Sequence, residues 1–238
     1  MDAFKYKENK LHCEDVNLSK IASSFGTPAY VYSKKALTEN ALMYVNSFTN
    51  RDNMACFSVK SLSNLSVLKL LKEVGCGFDV VSGGEMHRAL SIGADPKSII
   101  FSGVGKSSDE IKQGILNKIL SFNVESVSEL YKIEAIAKKL QMNASVSIRF
   151  NPDIDSGGHD YITTGRKGDK FGISSLKEVM QIAEYANKSK NINLVGLACH
   201  IGSQILNLES YKAAAEKTVE LADKINALGV ELKFLDMG

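Results

Sequence analysis

Apolar positions along this chain fall into two alternating patterns. From Met54 onward, short runs rich in β-branched and aromatic residues alternate with longer stretches in which apolar residues recur every three or four positions. The runs are MACFSVK (54 to 60), GFDVV (77 to 81), SIIFSG (98 to 103), KILSFNV (118 to 124), SVSIRFN (145 to 151), LVGLACHIG (194 to 202) and KFLDMG (233 to 238). Strands separated by helical patterns in this way predict repeated βα units around a parallel sheet.

The helical stretches carry their own boundaries. Ser-x-x-Glu recurs at Ser82/Glu85, Ser107/Glu110, Ser126/Glu129 and Ser175/Glu178, a spacing that lets each pair satisfy first-turn amides reciprocally. Val127, Leu130, Ile133, Ala137 and Leu140 fall on one helical face, as do Leu65, Leu68, Leu71 and Val74. Gly75, Gly93 and Gly229 stand where a left-handed residue ends a helix.

Strand starts recur at short, regular intervals through the first five units, which suits a barrel better than an open doubly wound sheet. The interval after the fifth strand is stretched by NPDIDSGGHDYITTGRKGDKFGI, rich in Gly, Asp and Lys and placed where a barrel builds its active-site loops. A (β/α)8 barrel has eight strands and the pattern supplies seven, so the expected fold is α/β, a parallel (β/α)8 TIM-type barrel truncated after its seventh strand. In residues 1 to 50 a helical pattern (Val16 to Ser24) precedes TPAYVY, which reads as a strand outside the barrel cycle, and a helix from Lys34 to about Phe48. A lone strand needs a partner sheet. Residues 1 to 35 are therefore expected to pack on a β domain beyond Gly238, and residues 36 to 238 to form the incomplete barrel. An open barrel has two unpaired edges, which predicts aggregation or an unusual oligomer if the chain is expressed as it stands.

Composition narrows the partners. With 29 Lys and Arg against 27 Asp and Glu the net charge is +2, and no basic run is dense enough to mark a polyanion footprint, so nucleic acid is not an expected partner. The polar N-terminus has no signal-peptide stretch and no segment reaches membrane-spanning length, which predicts a cytoplasmic protein without membrane attachment. Cys13, Cys56, Cys76 and Cys199 are far apart with no CxxC pair, so no metal is expected, and Cys56 and Cys199 lie in apolar runs as small core residues.

Barrel enzymes carry their chemistry at the C-terminal ends of the strands, and these runs end on polar groups: Lys60, Asp79, Ser102, Glu125, Arg149 with Asn151, His200 and Asp236. A strand-end amine at Lys60 is expected to be partly desolvated, which makes its neutral, nucleophilic form more accessible and suits Schiff-base chemistry. Spacing alone leaves equally open a lysine that simply reaches solvent. Ser147, Arg149 and Asn151 share one strand face and are expected to point inward, with Asp79 and Glu85 as candidate partners for the arginine. His200 precedes Gly202 and Ser203, whose amides and hydroxyl could hold a phosphate, though a strand-end His is also a common hydrogen-bonded core residue. A Gly after the seventh strand, Gly238, stands where barrels commonly bind phosphate.

The segments FSVKSLSN, GFDVVSGGEMHRAL, FSGVGKS, FNVES, IRFNPDID, HDYITTGRKGDKFGI, CHIGSQI and LDMG occur in the order found in one known group. From residue 28 to 238 the chain resembles the diaminopimelate decarboxylase family, within the alanine-racemase-like barrels that use pyridoxal phosphate. That resemblance implies that Lys60 forms the Schiff base with pyridoxal 5'-phosphate and later transfers a proton, with Lys60 and His200 as the catalytic pair. It further implies that His200 stacks on the cofactor ring, that Ser203 and the glycines beginning at Gly238 hold the phosphate, and that Asp79, Glu85 and Arg149 support the His200 side. The implied reaction is decarboxylation of meso-2,6-diaminopimelate to L-lysine, in a homodimer whose active site is completed beyond residue 238 and by the second subunit. A decarboxylase of ornithine, arginine or carboxynorspermidine, or a non-catalytic barrel carrying the same cofactor, are the alternatives. Phe57, Ser58 and Ser61 replace the family's usual tyrosine and alanines around the lysine, and Asp160 stands where proline is common.

Overall fold

The computed structural model describes residues 3–48, 50–154, 171–206 and 208–238. Backbone contacts divide the chain into two compact units, Met1–Phe78 and Asp79–Gly238.

In the first unit β1 (Phe4–Lys7), β2 (Lys10–Cys13) and β3 (Val16–Asn17) form an antiparallel sheet in that order. Its first reversal places Glu8 and Asn9 at φ 50° and 56°, the double left-handed turn whose twist matches a hairpin. Helix α1 (Leu18–Phe25) follows, capped by Asn17, and then α2 (Lys34–Val45), capped by the Ser33 hydroxyl on Ala36 N–H at 3.0 Å. Glu14, at the second reversal, accepts from Ser33 Oγ (2.7 Å) and Lys35 N–H (3.0 Å), tying the small sheet to the start of α2. Those bonds, the Ser33 hydroxyl first, hold its carboxyl below the ordinary glutamate value.

TPAYVY is not a strand: residues 27–32 run without regular structure into α2. Pro28 has no N–H to give a ladder, and Tyr30 is 91% exposed. Next come β4 (Cys56–Ser58), a 3-10 turn at Val59–Ser61, and α3 (Leu65–Val74), which Asn64 caps and Gly75 ends at φ 103°. Ala41, Val67, Leu71 and Cys76 form this unit's core, with Leu37, Val45, Phe57 and Leu62 packed on them.

The division falls inside β5 (Gly77–Val80), and the second unit continues with α4 (Gly83–Ser91), β6 (Ile99–Phe101), α5 (Ser108–Asn117), β7 (Ser121–Val124) and α6 (Val127–Leu140). After these come β8 (Ala144–Arg149), α7 (Leu176–Lys188), β9 (Ile192–Ala198), α8 (Leu208–Asn226) and β10 (Phe234–Asp236). All seven expected strands are present, each shorter than its apolar run, in the hydrogen-bonded order β10-β9-β8-β7-β6-β5-β4. The pairs from β6 through β10 are parallel. A single extra residue on β9 shifts the register between Val146 and Ser147, so that Ser147 faces Gly196.

This sheet is curled. Asn123 of β7 donates to Asp236 of β10 at 3.3 Å, although β10 is three places away in strand order. On a flat sheet three strand spacings are about 14 Å, beyond what these two side chains span. Strand residues of one parity therefore face the concave side of the curl, and those of the other face the helices. Phe122 and Val124 of β7 point to the helices, with Phe122 stacked on Phe101 at 5.9 Å between centroids. Gly114 of α5 has no room for a side-chain carbon because the Phe122 ring occupies that space.

The helix starts refine the expected pairing. All four Ser residues bond the amide three residues on, but the reciprocal bond is made only at Ser107/Glu110. Glu85 and Glu129 reach one residue further back, to Val81 N–H (2.9 Å) and Glu125 N–H (2.7 Å). Among the described residues no helix is long and apolar enough to cross a membrane.

Candidate active site

Lys60 lies in the first unit, in the 3-10 turn that closes β4. Its neighbour Val59 is fully buried, Leu62 N–H bonds back to Val59 O at 3.1 Å, and Ser61 Oγ donates to Ser58 O at 2.7 Å. The turn is thus fixed from both sides around the lysine. Within the first unit Lys60 is exposed, in place of the partly desolvated setting that a strand-end position suggested.

The other expected residues lie in the second unit, and they fall into two groups. Arg149 ends β8 and donates to Glu125 Oε1 at 2.8 Å, with both side chains largely buried. The partners expected from sequence, Asp79 and Glu85, are not the ones found. Strand order explains this, because the end of the adjacent β7 is Glu125 whereas β5 is three places from β8. Glu125 Oε2 also accepts from Gly172 N–H at 2.8 Å, and Arg149 packs over the Phe171 ring at 5.1 Å. Ile173 N–H bonds Arg149 O (2.9 Å) and Asn151 N–H bonds Ile173 O (3.0 Å), so this pair anchors the point where the chain returns from the long insertion to the end of β8. HDYITTGRKGDKFGI lies mostly outside the described residues. Glu85 is committed to the start of its own helix, as described above.

The second group is a polar chain in the interior. Ser102 Oγ donates to Asp79 Oδ1 at 2.5 Å, and Asn123 Nδ2 donates to Ser102 Oγ at 3.1 Å and to Asp236 Oδ2 at 3.3 Å. Ser147 Oγ donates to Asn123 Oδ1 and receives from Ser121 Oγ at 3.0 Å. Asp236 Oδ1 accepts from Gly238 N–H at 2.9 Å. Gly238 adopts φ 88° and lies so close to His200 that a side-chain carbon there would collide with the imidazole and stand 2.9 Å from Cys199 O. His200 is half-buried just past β9, and Ser203 is exposed in the following turn. Cys199 is buried beside Thr218, and burial pushes its thiol upward, which fits a core residue. Cys56 is only half-buried.

Sequence reasoning passed over Lys106. This lysine, 5% exposed, donates to Gly103 O (2.6 Å), Asn123 O (2.8 Å) and Glu129 Oε1 (2.9 Å), using all three of its hydrogens. It locks the turn after β6 to β7 and to α6. The signal was a lone lysine following Gly103 and Gly105 and just before the Ser107 cap, in FSGVGKS. Asn123 was also missed, and its signal was an amide in the middle of the apolar run SFNV. Among the described residues no group of three or more His, Cys, Asp or Glu is placed to hold a metal.

Residues 34–238 match the family described as pyridoxal-dependent decarboxylase, pyridoxal binding domain. The chain is 42% identical over 238 residues to the diaminopimelate decarboxylase of Haemophilus influenzae, covering all of this chain and 57% of that protein. It superposes on the crystal structure of diaminopimelate decarboxylase from Helicobacter pylori complexed with L-lysine with a TM-score of 0.91 at 42% identity, over 93% of this chain and 56% of that one. The corresponding enzyme of M. jannaschii, also in complex with L-lysine, gives a TM-score of 0.89 at 32% identity, over 98% and 56% of the two chains. The chain therefore spans somewhat more than half the length of these relatives.

Proposed function

Because the chain belongs to the pyridoxal-dependent decarboxylases, as their pyridoxal binding domain, we propose that it is the barrel portion of a diaminopimelate decarboxylase, releasing carbon dioxide from the D-configured centre of meso-2,6-diaminopimelate to give L-lysine. The observation that carries this reading is similarity through the whole chain to enzymes of that name, including structures holding L-lysine.

The residues present fit pyridoxal phosphate. The half-buried His200 ring and the exposed Ser203 hydroxyl follow β9 on one loop, with the Gly238 main chain against the imidazole, donor chemistry that suits a ring carrying an anionic group. The cofactor supplies an electron sink for a carbanion at the substrate's α-carbon. Lys60 is assigned to hold it through Nζ and to move a proton at that atom, and His200 to pack on its ring. Ser203 and Gly238 are assigned to its phosphate. Asp79, through Ser102 and Asn123, orders the interior beside Asp236, while Arg149 and Glu125 orient each other at the strand ends. Glu85 acts by fixing the α4 start rather than by contact.

The remaining parts of the reading follow the family. Residues 1 to 35 pack on a β domain, residues 36 to 238 form the barrel, and the enzyme works in the cytoplasm as a homodimer in which the second subunit completes the site. Incubating the complete gene product with meso-diaminopimelate and pyridoxal phosphate is expected to release lysine; cofactor binding without release overturns the assignment, and a panel with ornithine and arginine tests substrate choice. Lys60→Ala is expected to abolish the visible absorbance of the bound cofactor, and its persistence means that another lysine holds it.

A further inference from the structure

We propose that Asn123 is a positioning residue for the main chain at Gly238, where the phosphate-holding glycines begin, acting through Asp236; this rests on the cofactor reading above. Asn123 stands in the middle of β7, 4% exposed, with its side chain in the curled interior. A carboxamide has two hydrogens to give and one oxygen to accept with. Here all are used: the oxygen takes the Ser147 hydroxyl, and the two hydrogens go to Ser102 Oγ (3.1 Å) and Asp236 Oδ2 (3.3 Å).

The neighbours' own hydrogens fix the direction of the chain. Ser102 spends its hydrogen on Asp79, and Ser147 spends its hydrogen on Asn123 while receiving from Ser121. Donation therefore runs from Ser121 through Ser147 to Asn123, and from there it forks to the two carboxylates. At the Asp236 branch the amide holds one carboxylate oxygen, which orients the other toward Gly238 N–H at 2.9 Å. That bond holds the Gly238 backbone, at φ 88°, close against His200.

Few side chains fill this role. Serine or threonine has one hydrogen and cannot serve both acceptors. Aspartate has none and places a third carboxylate between two others. Leucine has the volume but no polar atom. The Asn123 main chain is held independently, by Lys106 Nζ on its carbonyl at 2.8 Å and by the ladder to Ser147, so losing the side-chain amide leaves the strand in place. The charged groups facing the amide are Asp79 of β5 and Asp236 of β10, with the Lys106 ammonium on its own carbonyl and the Arg149–Glu125 pair at the neighbouring strand ends.

The test uses the complete gene product, stripped of cofactor and titrated with pyridoxal phosphate and, separately, with pyridoxal lacking the phosphate. Asn123→Leu is expected to weaken pyridoxal phosphate binding about tenfold or more, the size of a lost hydrogen bond to a charged group, and to leave pyridoxal binding at the wild-type level. Equal losses for both ligands, or no loss, overturn the proposal. Wild-type protein that does not prefer pyridoxal phosphate over pyridoxal overturns the cofactor reading itself, which separates the two failures. Asn123→Asp gives an independent readout if the leucine variant does not fold. Its pyridoxal phosphate affinity relative to wild type is expected to recover as pH falls and one of the three clustered carboxyls takes up a proton, restoring a donor. A defect that stays constant with pH overturns the assignment.

Discussion

Helix α6 of the second unit buries Leu130, Ile133 and Ala137, whereas α1 of the first unit buries none of its side chains, although both carry an apolar face. The polar groups differ in the same way. In the first unit the Lys7–Asp15 pair sits at the surface, while in the second Lys106, Glu129, Ser121, Ser147 and Asn123 are largely inside and bonded to one another. An apolar stripe is enough to specify a helix, but how much that helix stabilises depends on what lies beneath it. Substitutions of similar chemistry should therefore cost far more in the second unit, and each prediction tests that asymmetry.

The largest effect is expected at Lys106. Replacing it with Met keeps the volume but strips a partner from the Glu129 carboxylate and from the carbonyls of Gly103 and Asn123, all in the interior. Breaking a buried pair from one side typically costs about 3–5 kcal/mol, so urea unfolding of Lys106→Met should show a loss of that order. A loss under about 1 kcal/mol, the range of exposed pairs, would mean that this lysine is not the pin its geometry describes. Leu130→Ala, fully buried on α6, should follow at about 2–5 kcal/mol.

Glu110 tests the comparison at an intermediate scale, through pH. It accepts from Gly83 N–H (2.7 Å) and Ser107 N–H (2.9 Å), joining the starts of α4 and α5, and these bonds, that of Gly83 first, hold its carboxyl below the ordinary glutamate value. A carboxyl lowered in the folded state stabilises above its unfolded value, and that contribution is lost as pH falls through the folded value. Glu110→Gln should therefore cost about 1 kcal/mol near neutral pH, with the gap to wild type closing in acid. Thermal melts across that pH range check it, and a gap that widens in acid would reverse the sign.

The barrel was legible in the sequence because its two periodicities are enforced by burial on both sides of each strand, as with Phe122 and Val124 facing the helices while Ser121 and Asn123 face inward. Capping serines were legible because the bond is local. The three-stranded sheet at residues 4–17 was not, since its strands are short and polar and its turns rest on Glu8, Asn9 and Glu14 rather than glycine. Nor was the Arg149 partner: which carboxylate meets a strand-end arginine depends on strand order, and the sequence alone offered Asp79 and Glu85 where adjacency supplies Glu125. Lys106 and Asn123 escaped for a related reason, because a buried polar residue acquires meaning only when distant partners are in place, such as Asn123 O for Lys106, 17 residues away, and Asp236 for Asn123, 113 residues away.

The smallest effect is expected at Phe25, the last residue of α1, which is 82% exposed. Its ring removes little surface from water within the first unit, so Phe25→Ser should change unfolding stability by no more than about 0.5 kcal/mol, the range of ordinary surface substitutions. The same ring at a buried position would be worth about 3–5 kcal/mol, which makes the measurement decisive for the comparison. Parallel urea titrations of Phe25→Ser and Leu130→Ala, made in the same chain, should differ severalfold in the loss. Equal losses would show that the apolar face of α1 is covered as fully as that of α6, and the asymmetry between the two units would then fail.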